Sequence, residues 1–194
     1  DVRGMIVDNY GGVRMDGTNA TIIGEKQGEF IADRNNITRV WMDHALWPLK
    51  TTKLYIDQTG DIEILTKKVP YFKDGQAMRG TQIDALWNET QGSNQCTIEN
   101  EVYTGTILEH LLIEHLTSFY EVGEHNIYRL RGADWNDALD MASERGESVA
   151  FTCAYAGNLI ELAGLIHLLD DCSEDHTVEL LEEIEALMNE KNCK

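Results

Sequence analysis

Basic residues are scarce in this sequence of 194 residues. Its 16 lysines and arginines stand against 34 aspartates and glutamates, which gives a formal net charge of −18. Nucleic acids and anionic membrane surfaces both attract basic protein surfaces, so the charge balance argues against both as partners. A neutral, hydroxyl-rich ligand fits an acidic surface better than a polyanion does.

Cysteine is also sparse. The four residues, at Cys96, Cys153, Cys172 and Cys193, lie far apart, without the spacing of a zinc site. We therefore expect reduced thiols, no metal and a cytoplasmic protein. No apolar run approaches bilayer-spanning length and no secretory signal opens the chain. Because neither end carries a start or stop signal, we expect a fragment of a larger domain.

Helical periodicity begins only after residue 40. Residues 1–40 are rich in Gly, Asn, Asp and Thr and are predicted to form a structured loop region. Beyond them, apolar spacing predicts a helix from Pro48 to Gly60, one over 107–119 with its N-cap at Thr104, one over 148–169, and a last one capped by Ser173. The chain is therefore predicted to be mainly α, as one domain fragment over 1–194, loop-rich over 1–40 and helical over 41–194.

The helix over 148–169 has alanines opposite its stripe of large apolar side chains. A helix that is apolar nearly all round is predicted to be buried on both sides. Long polar loops between such helices favour a toroid of helical hairpins over a four-helix bundle, whose loops are short.

Three carboxylates, an amide and an indole lie within residues 134–140. Carboxylates and amides bind sugar hydroxyls, and an indole can stack on a sugar ring. A carboxyl group beside a tryptophan is partly desolvated, which raises its pKa and suits it to general acid catalysis. The alternative is a loop of capping and turn residues, since Asp and Asn are common in both roles.

Two segments carry a resemblance to a known family. Asp134-Trp135-Asn136-Asp137, preceded by Arg131-Gly132, resembles the catalytic-acid motif of glycoside hydrolase family 94. The segment Trp41 to Pro48, followed by Thr59-Gly60-Asp61, resembles that family's Asp-x-x-Leu-Trp segment and the turn after its helix. The resemblance covers about residues 40 to 165.

The resemblance implies an (α/α)6 barrel and inverting phosphorolysis of a β-linked glucoside to α-glucose 1-phosphate, with inorganic phosphate as co-substrate and no cofactor. Asp137 would be the general acid and Trp135 would line the sugar site. Asp134 and Asn136 would position the loop or touch hydroxyls. The stretches 3–24 and 29–48 most resemble the 1,2-β-oligoglucan phosphorylase branch.

Substrate contacts are also expected from Asp43, His44 and Arg39. His44 could instead make a structural hydrogen bond. The family's upstream Arg-Asp motif for the reacting sugar is not found in this sequence, where Arg39 is only a candidate contact. Ala138 stands where many family members have Gly. The family's phosphate-binding elements are expected beyond Lys194.

Other residues are assigned to structure. His110 and His115 diverge on a helix and cannot share a metal, while Trp41, Trp47 and Trp87 are expected in the core, with one of the three reaching the cleft. Two rival functions stay open: a hydrolase or transglycosylase on the same barrel, and a non-catalytic acidic helical fragment. A homodimeric parent enzyme is a further option.

Overall fold

A computed structural model describes residues 1–26, 28–31, 40–132, 141–142, 144–174 and 176–189. The described residues form five α-helices: α1 (Val2–Tyr10), α2 (Leu46–Thr59), α3 (Ile107–Tyr120), α4 (Val149–Cys172) and α5 (Glu182–Met188). Two 3₁₀ helices, Ile62–Thr66 and Glu89–Gln91, lie between them. The mainly α class predicted from the sequence is confirmed.

Six short strands pair antiparallel, two by two. They are β1 (Ile22–Ile23) with β2 (Phe30–Ile31), β3 (Lys68–Pro70) with β6 (Thr104–Thr106), and β4 (Gln76–Ala77) with β5 (Gln82–Ile83). The β3–β6 pair places Val69 opposite Gly105 and leads directly into α3. The polar stretch over 71–103 is thus held by strand pairs and turns.

Helix α3 is the centre of the fold, because each of the other four helices packs against it. Thr106, not Thr104 as expected, is its N-cap, and its hydroxyl accepts from the Glu109 amide at 3.1 Å. Polar side chains on α3 are as buried as its apolar ones. They are Glu109, His110, Glu114, His115 and Ser118.

Helix α4 differs from its prediction. Only one face of it is buried among the described residues, at Tyr155, Asn158, Leu162, Leu165 and Leu169. Ile160 on another face is 75% exposed. Helix α3 is instead the one buried on all sides, over residues 107–115.

The expectation about apolar runs also needs correction. By length and composition, α4 is apolar enough to cross a membrane. The core helix of a soluble protein passes the same test, and α4 packs against α2 and α3.

Helix α1 is not predicted by the sequence, because residues 1–40 show no clear apolar period. Its buried side chains are Ile6 and Tyr10, and Met5 is 73% exposed. The Asp1 carboxylate caps it by accepting from the Gly4 amide at 2.6 Å. Prediction and structure agree better on α2, where Leu49, Thr52 and Ile56 are buried and Gly60 ends the helix with a left-handed φ of 74°.

Helix α5 begins later than expected. Ser173 is the C-cap of α4, and Leu181 is the N-cap of α5. Ile184 is fully buried, whereas Val178 and Met188 are 45% and 54% exposed.

Candidate functional site

The two segments that carry the family resemblance lie against each other. The Gly132 amide donates to the Val40 carbonyl at 2.9 Å, and Trp41 forms β-bridges with Arg131 and Gly132. A Cβ on residue 132 would lie 3.1 Å from the Val40 oxygen, so glycine permits this close approach. The Trp41–Pro48 segment is therefore adjacent to the start of the acid motif.

The motif itself falls outside the described residues. This applies to Asp137, the expected general acid, and to Asp134, Trp135, Asn136 and Arg39. Their assignments stay predictions. The structure describes the frame around them and, of the expected substrate contacts, Asp43 and His44.

Both flanks of the acid-motif segment are tied to each other. The Leu130 amide donates to the Gly146 carbonyl at 2.8 Å, and the Ser148 amide donates to the Tyr128 carbonyl at 2.9 Å. Tyr128 also pairs with Val122 just after α3. Two backbone hydrogen bonds therefore join the residues before the motif segment to those after it. We call this paired region, residues 128–130 with residues 146–148, the base of the motif segment.

A small apolar cluster supports this base. It consists of Val40, Met42, Ala45, Leu46, Tyr128 and Tyr155. The Tyr155 hydroxyl donates to the Met42 carbonyl, which fixes the turn just before α2 from the side of α4. The two motif segments thus share one piece of core, separate from the main cluster around α3.

Aromatic and polar side chains converge at the start of α2. The Trp47 indole donates to Asp43 Oδ2 at 3.2 Å, and the rings of Trp41 and His44 lie 4.6 Å apart. Trp47 is 60% exposed and lines a cleft, so it is the one of the three tryptophans that leaves the core, whereas Trp41 and Trp87 are partly buried. Among the described residues, buried Asp43 Oδ1 and Trp41 Nε1 have no hydrogen-bond partner. One acceptor and one donor beside the motif are therefore available to bind a ligand.

A cleft of about 560 Å³ opens next to these side chains, between α1, α2 and the β1 segment. None of the described residues that line it is charged, although the chain carries a net charge of −18. His44 and Trp47 form one wall, and Asn19 and Thr21 lie on another. Most of the remaining lining is apolar, including Val2, Met5 and Ile6 of α1, so the cleft fits an uncharged ligand.

A buried carboxyl group lies beneath this cleft. Asn19 Nδ2 donates to Glu114 Oε1 at 2.8 Å, and the second Glu114 oxygen has no partner among the described residues. Burial raises the pKa of Glu114 to about 8. The Tyr10 hydroxyl shares a 2.7 Å hydrogen bond with Thr52 nearby on the cleft floor.

A second carboxylate, Glu121, lies just beyond α3 and its side chain is 7% exposed. It pairs with Arg79 through one oxygen and with Arg131 through the other. Sequence reasoning missed Glu121 and Arg79, since no spacing pattern relates them to Arg131. Glu114 did leave a signal, because it interrupts an apolar helix.

The histidines of α3 are structural. His110 Nδ1 donates to the Thr106 carbonyl and His115 Nδ1 to the Leu111 carbonyl, both at 2.8 Å. Burial lowers the pKa of each to about 4, so both rings are neutral at pH 7. In the part of the chain that the structure describes, no three His, Cys, Asp or Glu residues could hold a metal ion.

Two known proteins are similar to part of this chain. A solabiose phosphorylase from Paenibacillus borealis is 27% identical over 128 residues, which cover 65% of this chain and 13% of that protein. The cyclic β-(1,2)-glucan synthase NdvB from Rhizobium meliloti (strain 1021) is 26% identical over 108 residues, which cover 56% of this chain and 4% of that protein. No family model matches. The chain spans a small fraction of either relative, and both names are those of carbohydrate-active enzymes.

Proposed function

We propose that this chain is part of an inverting glycoside phosphorylase of the (α/α)6-barrel type, with Asp137 as its general acid. The observation that carries the proposal is the pairing of Trp41 with Arg131 and Gly132. It brings together two segments that resemble the same family's catalytic region although they are far apart in sequence. The partial similarity to a phosphorylase supports the same class.

The proposed reaction needs one carboxyl group from the protein. Asp137 donates its proton to the glycosidic oxygen as the bond from that oxygen to the anomeric carbon breaks. Inorganic phosphate attacks the anomeric carbon from the opposite face, so the configuration inverts and α-glucose 1-phosphate forms. Phosphate replaces the base-activated water of an inverting hydrolase.

Asp43 and His44 are proposed to contact the sugar, since His44 lines the uncharged cleft and Asp43 accepts a hydrogen bond from Trp47, which also lines it. The proposed ligand is a β-glucan or β-linked disaccharide in the cytoplasm, and neither nucleic acid nor a membrane. The similarity to a β-(1,2)-glucan synthase favours a β-1,2-linked oligoglucan within this class.

The experiment is a leaving-group comparison in the protein at its natural length. Asp137→Asn should cost a natural β-glucan the ~10²–10⁴-fold typical of general acid catalysis. An aryl β-glucoside with an acidic phenol needs little protonation, so its loss should be much smaller. Asp134→Asn is the matched control, because a residue that holds a sugar hydroxyl affects both substrates alike. Equal losses for Asp137→Asn on the two substrates would contradict the assignment.

A transglycosylase is the second candidate, favoured by the similarity to a glucan synthase. There a sugar hydroxyl would replace phosphate as the nucleophile. Omitting phosphate from the wild-type assay separates the two reactions: a phosphorylase loses all cleavage of the β-glucan, whereas a transglycosylase continues to redistribute chain lengths.

A further inference from the structure

We propose that Glu121 is a positioning residue for the general acid, acting through Arg131. The inference rests on the proposed function, because it assigns Glu121 a role in the geometry of the Asp137 segment. Glu121 follows α3 directly, and its side chain is nearly inaccessible to solvent.

Both oxygens of the Glu121 carboxylate are used. Oε2 accepts from Nε of Arg79, and Oε1 accepts from Nε of Arg131. Charge-assisted hydrogen bonds of this kind are the stronger ones in proteins, and they fix orientation as well as distance. One carboxylate therefore sets where both guanidinium groups lie.

Arg79 links this pair to other elements. Its Nη1 donates to the Asp16 carbonyl and to the Thr117 hydroxyl, each at 2.9 Å. Its backbone amide donates to Asp16 Oδ2 at 2.7 Å. The Glu121–Arg79 pair is thus held by α3 and by two loops. The position of the Glu121 carboxylate is therefore fixed independently of its other partner, Arg131.

Arg131 is the element that needs holding. Its φ of 53° is left-handed, a conformation that L residues with a Cβ adopt only where their surroundings impose it. The next residue, Gly132, is hydrogen-bonded to Val40, and the acid-motif segment follows at once. A change in the Arg131 backbone would therefore be passed to the beginning of that segment.

Removing the carboxylate would leave two guanidinium groups side by side without their shared anion. Arg131 would lose the contact that opposes its relaxation to an ordinary backbone conformation. Displacement of a catalytic group by about 1 Å can cost ~10²-fold in rate. The expected consequence is a misplaced acid, with the sugar-binding residues at the start of α2 left in place.

The test uses Glu121→Gln and Arg131→Lys in the protein at its natural length, assayed on a natural β-glucan and on an aryl β-glucoside with an acidic phenol. We expect kcat on the β-glucan to fall at least ~10-fold with KM nearly unchanged. The loss on the aryl glucoside should be much smaller. Arg131→Lys keeps the charge but loses the planar fork, so it reports on orientation even if the Gln variant folds poorly.

The matched control is Glu124→Gln. Glu124 lies three residues after Glu121 in the chain, and its substitution breaks an exposed ion pair with Arg145. It should change neither substrate's kinetics. If Asp137→Asn shows the leaving-group dependence and both test variants lose equally on the two substrates, Glu121 has no positioning role and the proposed function stands. The positioning role is likewise rejected if circular dichroism shows that both test variants are unfolded. If Asp137→Asn itself lacks the dependence, both proposals are wrong.

Discussion

Asn158 donates through Nδ2 to Nε2 of His115 at 3.0 Å and to the Leu46 carbonyl at 3.2 Å. One amide group therefore joins α4 to α3 and to the first residue of α2. Because His115 Nδ1 is bonded within its own helix, its Nε2 is an acceptor and the ring is neutral. The contact fixes the start of α2, where the candidate site lies.

Replacing Asn158 by Ala should lower the free energy of unfolding by about 2–3 kcal/mol, because it leaves the buried Nε2 of His115 and the Leu46 carbonyl without a donor. His167→Ala, on the exposed side of the same helix, should change it by less than about 0.5 kcal/mol. Urea unfolding of both variants provides the comparison. Similar midpoints for the two would mean that this amide does not join the helices.

Periodicity predicted α2, α3 and α4 but not which of them is central. Glu109, His110, Glu114 and His115 make α3 look amphipathic in sequence, yet four other helices surround it. The alanines of α4 make that helix look buried, yet the described chain covers one face only. Local pattern gives the period of a helix, whereas burial depends on how many partners pack against it.

The same limit applies to the candidate site. The motif residues could be named from sequence, since their chemistry and order are local. The pairing of Trp41 with Arg131, and the sharing of Glu121 by Arg79 and Arg131, depend on tertiary contacts. No spacing rule gives contacts between residues so far apart in the chain.

Gly17 lies in the loop that follows α1, and its substitution tests how closely this loop packs against α3. Its φ is 76°, and a Cβ there would lie 2.1 Å from the Thr117 hydroxyl oxygen. Gly60 has a similar φ of 74° with open space around it. Gly60→Ala should cost about 1–2 kcal/mol from the left-handed backbone alone, and Gly17→Ala should cost about 1–3 kcal/mol more from overpacking.

The measurement is the denaturation midpoint of each variant, with the difference between them as the result. Since the two glycines share the backbone term, the difference isolates the steric contact with α3, where the Ile113 carbonyl oxygen would also lie only 2.8 Å from the new Cβ. Equal losses for the two alanine variants would show that α3 and this loop can move apart without cost.

Glu114 should make the chain less stable as the pH rises from 6.5 to 8. Its pKa is about 8 in the fold, against an ordinary value of 4.5, so the native state binds more protons than the unfolded state across this window. Stability then falls with rising pH. His110 and His115 oppose this at the acidic end of the window, since their lowered pKa values make stability rise with pH until the unfolded-state imidazoles, with an ordinary pKa of 6.5, are fully deprotonated.

The expected loss across this window is about 1–2 kcal/mol, from 1.36 kcal/mol per pH unit for one proton. Glu114→Gln should flatten the profile, because an amide keeps the hydrogen-bonding shape without titrating. Glu63→Gln, at an exposed position, should leave the wild-type slope unchanged. Thermal or urea unfolding at several pH values gives the slopes. A slope that persists in Glu114→Gln would assign the effect to another group.

The linkage preference is the last expectation that can be tested directly. The proposed β-1,2 preference rests on the sequence of residues 3–24 and 29–48, and part of this region lines the uncharged cleft through Asn19 and Thr21. A β-1,2 linkage turns successive glucose units differently from a β-1,4 linkage, so a wall shaped for one disfavours the other. The protein at its natural length should release α-glucose 1-phosphate faster from sophorose-type oligomers than from cellobiose at equal concentration. Asp137→Asn should abolish both signals and so exclude contaminating activity. Equal or faster use of cellobiose would reject the β-1,2 assignment and leave the phosphorylase proposal intact.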